Sequence, residues 1–152
     1  DSDLPIVEAI FPILDSFGVK YTKNVMSAHR TPHEVMELIK TSENKGCKVF
    51  IAAAGMAAHL AGAVAAHSTR PVIGIPIESG GMGGMDSLLS TAMMPPGVPV
   101  ATVAVGKAGA KNSAILAVQI LATSDDVLAA KLSEYKSNMR DEVLKKDQAL
   151  NS

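Results

Sequence analysis

The sequence predicts an α/β fold in which helices cover both faces of a central parallel sheet. Short apolar segments rich in β-branched residues alternate with longer segments of helical periodicity. Glycine or proline separates most of these segments. The chain has 152 residues, of which 47% are hydrophobic, enough for one well-buried core and too few for two typical domains. We therefore expect a single domain over residues 1–152.

Six helices are predicted from periodicity and from capping residues. The first covers residues 4–17, ends at Gly18, and contains Pro12, which predicts a kink. Thr31 and Glu34 form a Thr-x-x-Glu capping box, which predicts the start of the second. The later predicted helices cover residues 32–45, 57–66, 85–93, 111–122 and 127–150.

Four strands are predicted between these helices, over residues 19–25, 49–53, 72–75 and 100–105. The sequence opens directly at a helix cap, so the strand that should precede the first helix is absent. A sheet lacking that strand would have an unpaired edge or a gap. We expect the native chain to extend further at its N-terminus by about one strand and a turn.

Composition excludes several classes of function. The chain has 14 basic and 15 acidic residues, so nucleic acid and anionic membrane are poor candidates as partners. Its apolar runs are too short to span a bilayer, and we expect a soluble protein. Cys47 is the only cysteine, which fits a reducing cytoplasm and excludes a disulfide framework. We interpret it as a small buried hydrophobe rather than a nucleophile.

Polar residues concentrate where predicted strands give way to helices. The segments concerned are residues 1–3, 27–30, 54–60 and 79–87. In an open parallel sheet these junctions share one edge, so all four segments can converge on a single ligand. We expect the functional site there.

The most informative junction is Ser27-Ala28-His29-Arg30-Thr31-Pro32-His33. His29 follows a predicted strand and precedes a helix, where a histidine can exchange protons near neutral pH and the helix amides favour an anion. Arg30 is the matching clamp for a phosphate or carboxylate. The alternative is an ordinary polar loop whose histidine bonds only to the backbone.

Other polar residues have two interpretations each. Ser2 and Asp3 are good helix caps, but the serine could bind phosphate and the aspartate could accept hydrogen bonds from ribose. His59 could be structural, although its small neighbours leave space for a planar ligand. His33 and His67 have the pattern of helix-surface residues.

Three common motifs are absent. The glycines of residues 80–84 do not follow the Gly-x-Gly-x-x-Gly spacing, and Gly106-Lys107-Ala108-Gly109 lacks the Walker arrangement, so neither NAD nor ATP is expected. No serine lies in a Gly-x-Ser-x-Gly elbow, which argues against a serine hydrolase.

Over essentially its whole length, the chain resembles the class I N5-carboxyaminoimidazole ribonucleotide mutases of bacterial purine biosynthesis, often called PurE. The matching motifs are Asp1-Ser2-Asp3, Ser27-Ala28-His29-Arg30-Thr31-Pro32, Ala57-Ala58-His59-Leu60, Pro71-Val72-Ile73-Gly74-Ile75-Pro76, Asp86-Ser87-Leu88, Met94-Pro95 and Gly106-Lys107-Ala108-Gly109-Ala110-Lys111-Asn112.

This resemblance implies a flavodoxin-like three-layer α/β/α sandwich, assembled as a homo-octamer with active sites near subunit contacts. The C-terminal helix, residues 127–150, would pack on a neighbouring subunit. The implied reaction is an isomerisation that moves a carboxylate from the exocyclic nitrogen of an imidazole nucleotide to ring carbon C4. Its partners would be the nucleotide and transient CO2, with no metal or organic cofactor.

The resemblance also implies roles for individual residues. His29 would be the acid and base. The 5'-phosphate would be held by Ser2, Ser27 and Arg30, and the ribose by Asp3. A loop over the base and the CO2 pocket would be formed by Gly55, Ala57, Ala58, His59 and Leu60.

The chain departs from the family pattern at three positions. Met56 stands where the family usually has glycine, Ala61 where it has proline, and Met93 where it has glutamine. We expect these changes to affect substrate affinity more than the reaction.

Three alternatives remain. The class II activity on the same fold carboxylates aminoimidazole ribonucleotide directly with CO2, but its members tend to carry lysine where this chain has Arg30. A related carboxylase builds a nickel-pincer precursor and generally carries additional sequence. The third is a non-catalytic nucleotide-binding module, against which the combination of His29, Ser27 and Arg30 argues.

Overall fold

The computed structural model describes residues 3–151, which form seven α-helices, one 3₁₀ turn and three strands. In chain order these are α1 (Leu4–Val7), the 3₁₀ turn (Glu8–Ile10), α2 (Phe11–Phe17), α3 (Pro32–Asn44), β1 (Phe50–Gly55), α4 (His59–His67), β2 (Val72–Ile77), α5 (Met85–Ala92), β3 (Ala101–Thr102), α6 (Gly106–Ala122) and α7 (Asp126–Leu150).

The described sheet is parallel and has the order β1-β2-β3. β1 and β2 pair along their full length, from Phe50 opposite Val72 to Gly55 opposite Ile77. Every residue of the central strand β2 is buried, as expected for a parallel strand with helices on both faces. The predicted parallel sheet is confirmed.

Two hydrophobic cores lie on opposite faces of this sheet. On one face, α2 and α6 pack against Ile75 and Ile77 of β2. On the other, α3 and α4 pack against Ala52 and Val72. Alternate residues of β1 serve the two cores, because successive side chains of a strand point to opposite faces. The three-layer α/β/α sandwich is therefore confirmed.

The predicted strand over residues 19–25 does not form. A strand needs a backbone partner along its length, and among residues 3–151 β1 is hydrogen-bonded only to β2. Val19 and Tyr21 instead pack against the core that contains α2 and α6. β-branched and aromatic residues fit any half-buried surface, so their presence was insufficient evidence for a strand.

The N-terminal helix is interrupted where a kink was predicted. α1 gives way to the 3₁₀ turn Glu8–Ile10 before α2 begins. Pro12 has no N–H to donate to the carbonyl of Glu8, and its ring displaces that carbonyl. Gly18 ends α2 in the left-handed conformation, with φ of 75°, as its glycine predicted.

The remaining elements occur close to the predicted positions, with shifted ends. β2 continues to Ile77, β3 is limited to Ala101–Thr102, α4 begins only at His59, and α6 begins already at Gly106. None of the helices described within residues 3–151 is both long and apolar enough to cross a membrane.

Candidate active site

The loops that follow the strands meet at one edge of the sheet. Gly55 and Ile77, the last residues of β1 and β2, lie opposite each other in the parallel register. Gly84, at the end of the loop after β2, lies against Glu78 and against Val105 of the loop after β3. Two of the predicted segments, residues 54–60 and 79–87, are therefore brought together as expected.

Two histidines lie in direct contact at this edge. Nε2 of His29 is 2.5 Å from Nδ1 of His59, and the ring centroids are 4.7 Å apart at an interplanar angle of 72°. His29 belongs to the turn before α3, and His59 is the first residue of α4. Both side chains are exposed. The partner of His29 is thus another imidazole rather than the backbone.

Ser27 and Arg30 form a compact turn beside His29. The Ser27 hydroxyl accepts hydrogen bonds from the backbone N–H of Arg30, at 3.2 Å, and from its guanidinium Nε, at 3.5 Å. The Arg30 side chain is exposed. This arrangement places a guanidinium and a hydroxyl before the N-terminus of α3, where an anion is favoured.

The predicted capping box is wrong in its detail. α3 does begin at Pro32, but the Thr31 side chain makes no capping hydrogen bond to the helix. Its hydroxyl accepts from the Ser27 N–H, at 2.9 Å, and donates to the Ser27 carbonyl, at 3.0 Å. Thr31 therefore closes the turn that carries His29, a local alternative open to a short hydroxyl side chain.

The loop between β1 and α4 has unusual backbone geometry. Met56 and Ala58 are the two non-glycine residues with positive φ among those described, at 55° and 42°. The Ala58 N–H donates to the Gly55 carbonyl at 3.0 Å, which closes the turn. Such conformations cost free energy for L residues and often mark functional sites.

Ser79 and Asp86 are polar residues for which the sequence predicts no role. Within the described part of the chain, neither the Ser79 hydroxyl nor the Asp86 Oδ1 has a hydrogen-bond partner, although both atoms are buried. Ser79 lies against Gly55. The signal in the sequence was weak, because a glycine at the end of a strand does not indicate which side chain approaches it.

The other predicted site residues are more scattered. Ser2 lies outside the described residues. Asp3 takes the N-cap position of α1, where its carbonyl accepts from the N–H groups of Ile6 and Val7. Ala57 is exposed, whereas Leu60 is half-buried against the core formed by α3 and α4.

The histidine contact lies on an open surface of the chain. Two surface depressions, of about 250 and 510 Å³, lie elsewhere, beside Phe17 and Lys131 of α2 and α7. The larger extends to Lys48, which precedes β1 and so marks the opposite edge of the sheet. Among residues 3–151, no group of three or more His, Cys, Asp or Glu side chains could hold a metal ion.

Comparison with known proteins identifies the family. Residues 1–142 match the family described as AIR carboxylase. The N5-carboxyaminoimidazole ribonucleotide mutase of Bacillus subtilis (strain 168) is 50% identical over 98% of this chain and 92% of its own length. The enzyme of the same name from Saccharolobus solfataricus is 52% identical over 87% and 82%. The crystal structure of Treponema denticola PurE superimposes with a TM-score of 0.88, at 27% identity, over 100% of this chain and 94% of that one. The chain therefore belongs to the AIR carboxylase family.

Proposed function

We propose that this protein is an N5-carboxyaminoimidazole ribonucleotide mutase, an isomerase of purine biosynthesis acting in the cytoplasm. In this reaction the carboxylate moves from the exocyclic nitrogen of the imidazole nucleotide to its ring carbon C4. The product is 4-carboxy-5-aminoimidazole ribonucleotide. The observation that carries the proposal is the exposed imidazole of His29 beside the Ser27–Arg30 turn, at the carboxyl edge of the sheet. Relatives of that name, at 46% to 52% identity, supply the substrate class.

The nucleotide binds through its phosphate at the start of α3. Arg30 supplies a fixed positive charge, and Ser27 supplies a hydroxyl that already orients the guanidinium. A planar guanidinium suits a phosphate because it can donate two parallel hydrogen bonds. Ser2 adds a further phosphate contact, and Asp3 accepts from the ribose hydroxyls.

His29 supplies and recovers one proton. As the bond between nitrogen and carboxylate breaks, its electron pair stays on nitrogen, which takes a proton from His29 while CO2 leaves. C4 then attacks CO2 and forms the new carbon–carbon bond, and the proton on C4 returns to His29. One group can serve both steps because they occur in sequence.

The loop from β1 to α4 covers the base and the CO2 during transfer. This cover is formed by Gly55, Ala57, Ala58, His59 and Leu60, and the Ala58 N–H closes its turn on the Gly55 carbonyl. Water must be excluded, because CO2 that escapes uncouples the reaction.

Enclosure of the site comes from neighbouring subunits in a homo-octamer. The single chain leaves His29 and His59 exposed. α7 is 25 residues long and has no buried residue in the chain. Its exposed apolar side chains, which would be covered by packing on a neighbour, are Val127, Met139, Val143, Leu144 and Leu150.

The test is to supply two substrates separately and follow turnover by ultraviolet absorbance. Conversion of N5-carboxyaminoimidazole ribonucleotide at low bicarbonate is expected. Turnover only of aminoimidazole ribonucleotide with bicarbonate would favour the direct carboxylase instead, an alternative raised by the family's name. Binding without turnover of either substrate would favour a non-catalytic module.

The role of His29 is tested by His29→Asn. We expect the variant to bind the nucleotide but to lose turnover, because asparagine cannot exchange a proton. Full activity in this variant would remove His29 from the mechanism.

A further inference from the structure

The contact between His29 and His59 restricts where protons can reside. Two N–H groups cannot face each other at 2.5 Å, so one hydrogen lies between Nε2 of His29 and Nδ1 of His59. Any proton that the pair gains or loses must therefore do so at one of the outer nitrogens, which are Nδ1 of His29 and Nε2 of His59.

Among residues 3–151, no carboxylate forms an ion pair with either ring. Arg30 follows His29 in the same turn. The elements packed against α4 carry ionisable side chains at His33, Glu34, Glu37, Lys40 and Glu43 of α3 and at Asp86 of α5. Within the described chain, residues 3–151, the single ion pair is Arg140 with Asp141, so neither imidazole has a carboxylate within 4.0 Å. The two rings are each other's polar partners.

We propose that His59 fixes the protonation state of His29 through this contact, so that the proton moved in the reaction leaves and returns at Nδ1 of His29. This inference rests on the proposed function and deepens it. When Nδ1 gives its proton to the nitrogen that loses CO2, His29 keeps its hydrogen on Nε2 and donates it to His59. Nδ1 is then a bare base ready for the proton from C4, and no ring has to flip between the two steps.

His59 is thus a positioning residue that acts through His29. Side-chain replacements separate this role from packing. In His59→Asn, the amide oxygen can replace Nδ1 as acceptor, whereas His59→Phe keeps a ring but removes the acceptor. We expect His59→Phe to lower kcat by about tenfold or more, which is part of the roughly hundredfold or more that a positioned acid or base contributes. We expect His59→Asn to recover much of that loss. His67→Asn and His67→Phe, at the exposed end of the same helix, are the matched controls.

The contact is tested independently of turnover by nuclear magnetic resonance. With ¹⁵N-histidine, the chain has only four labelled residues, and solid-state spectra suit an assembly of any size. We expect a scalar coupling between Nε2 of His29 and Nδ1 of His59. We also expect Nδ1 of His29 to carry no hydrogen when both imidazoles are neutral.

Two results would overturn the inference. One is the absence of that coupling in the assembled wild-type protein. The other is a kcat for His59→Phe equal to or above that of His59→Asn, because His59 would then act by filling space and not by accepting a hydrogen bond. If the wild type does not convert the nucleotide, the proposed function fails. The spectrum still decides whether His59 holds the hydrogen of His29 on Nε2.

Discussion

Gly55, at the end of β1, lies so close to Ser79 that a methyl group on Gly55 would overlap the Ser79 hydroxyl. This contact joins the loop after β1 to the loop after β2 and so sets the position of the segment that leads to His59. The glycine is required by space rather than by a positive φ, since its φ lies outside the left-handed region.

Gly55→Ala is therefore expected to destabilise the protein. Overpacking of this kind costs about 1–3 kcal/mol, which would appear as a lower denaturant midpoint. Gly81→Ala is the control, because an added methyl group there meets nothing within 4 Å. The double variant Gly55→Ala with Ser79→Gly should recover most of the loss, since the two residues are coupled. A Gly55→Ala protein as stable as the control would contradict the packing described.

Met56→Gly is expected to stabilise the loop. Met56 has a φ of 55° and the residue is 65% exposed, so little packing is lost. The left-handed conformation costs an L residue about 1–2 kcal/mol, and glycine costs about 0.5–1 kcal/mol in chain entropy, so the expected net gain is about 0.5–1 kcal/mol. Ala57 does not have a positive φ, so Ala57→Gly relieves no strain and should lower the free energy of unfolding. Equal effects of the two substitutions on the free energy of unfolding would argue against strain at Met56.

Arg30→Ala is expected to weaken nucleotide binding more than catalysis. A charge-assisted hydrogen bond contributes about 1.5–3 kcal/mol, so KM should rise by roughly tenfold to a hundredfold, with a smaller change in kcat. Arg30→Lys should lie between wild type and alanine, because lysine keeps the charge but not the bidentate geometry. Arg140→Ala, at an exposed pair on α7, is the control. An unchanged KM in Arg30→Ala would exclude the phosphate contact.

Cys47 is expected to react slowly with alkylating reagents. Burial raises the pKa of its thiol, and Glu43 raises it further, while a backbone hydrogen bond with Val49 and the charge of Arg70 oppose the shift. At a given pH less thiolate is present than in a free thiol, and the thiolate is the nucleophile. Iodoacetamide rates measured near neutral pH should therefore stay below those of glutathione. A faster rate at neutral pH would contradict the inert interpretation.

Local signals in the sequence located the polar edge of the sheet and most of the elements. Pro12 marks a backbone event that depends on the proline ring itself, so the interruption before α2 could be predicted. The start of α3 at Pro32 was predicted from Thr31 and Glu34, although the capping hydrogen bond does not form. The turn at Ser27 to Arg30 was recognisable because a hydroxyl, an imidazole and a guanidinium stand together before a helix.

The sequence predicted that distant segments meet at one edge of the sheet, but not which side chains touch there. His29 and His59 are 30 residues apart, and they meet because α3 packs on α4. The approach of Ser79 to Gly55 depends on strand register, which a glycine alone does not specify. The strand predicted over residues 19–25 was wrong for a similar reason. Its residue types indicate that the segment is partly buried, whereas a strand also needs a neighbouring strand to pair with.

Transfer of the carboxylate within the site is tested most directly by isotopic labelling. The substrate, N5-carboxyaminoimidazole ribonucleotide, carries ¹³C in its carboxylate, and the reaction runs in unlabelled bicarbonate. Mass spectrometry of the product after a brief reaction measures how much label is retained. If the protein is a mutase, we expect the product, 4-carboxy-5-aminoimidazole ribonucleotide, to keep most of the ¹³C. Product with the isotopic composition of the bicarbonate would contradict the account, because the carboxylate would then have come from solution.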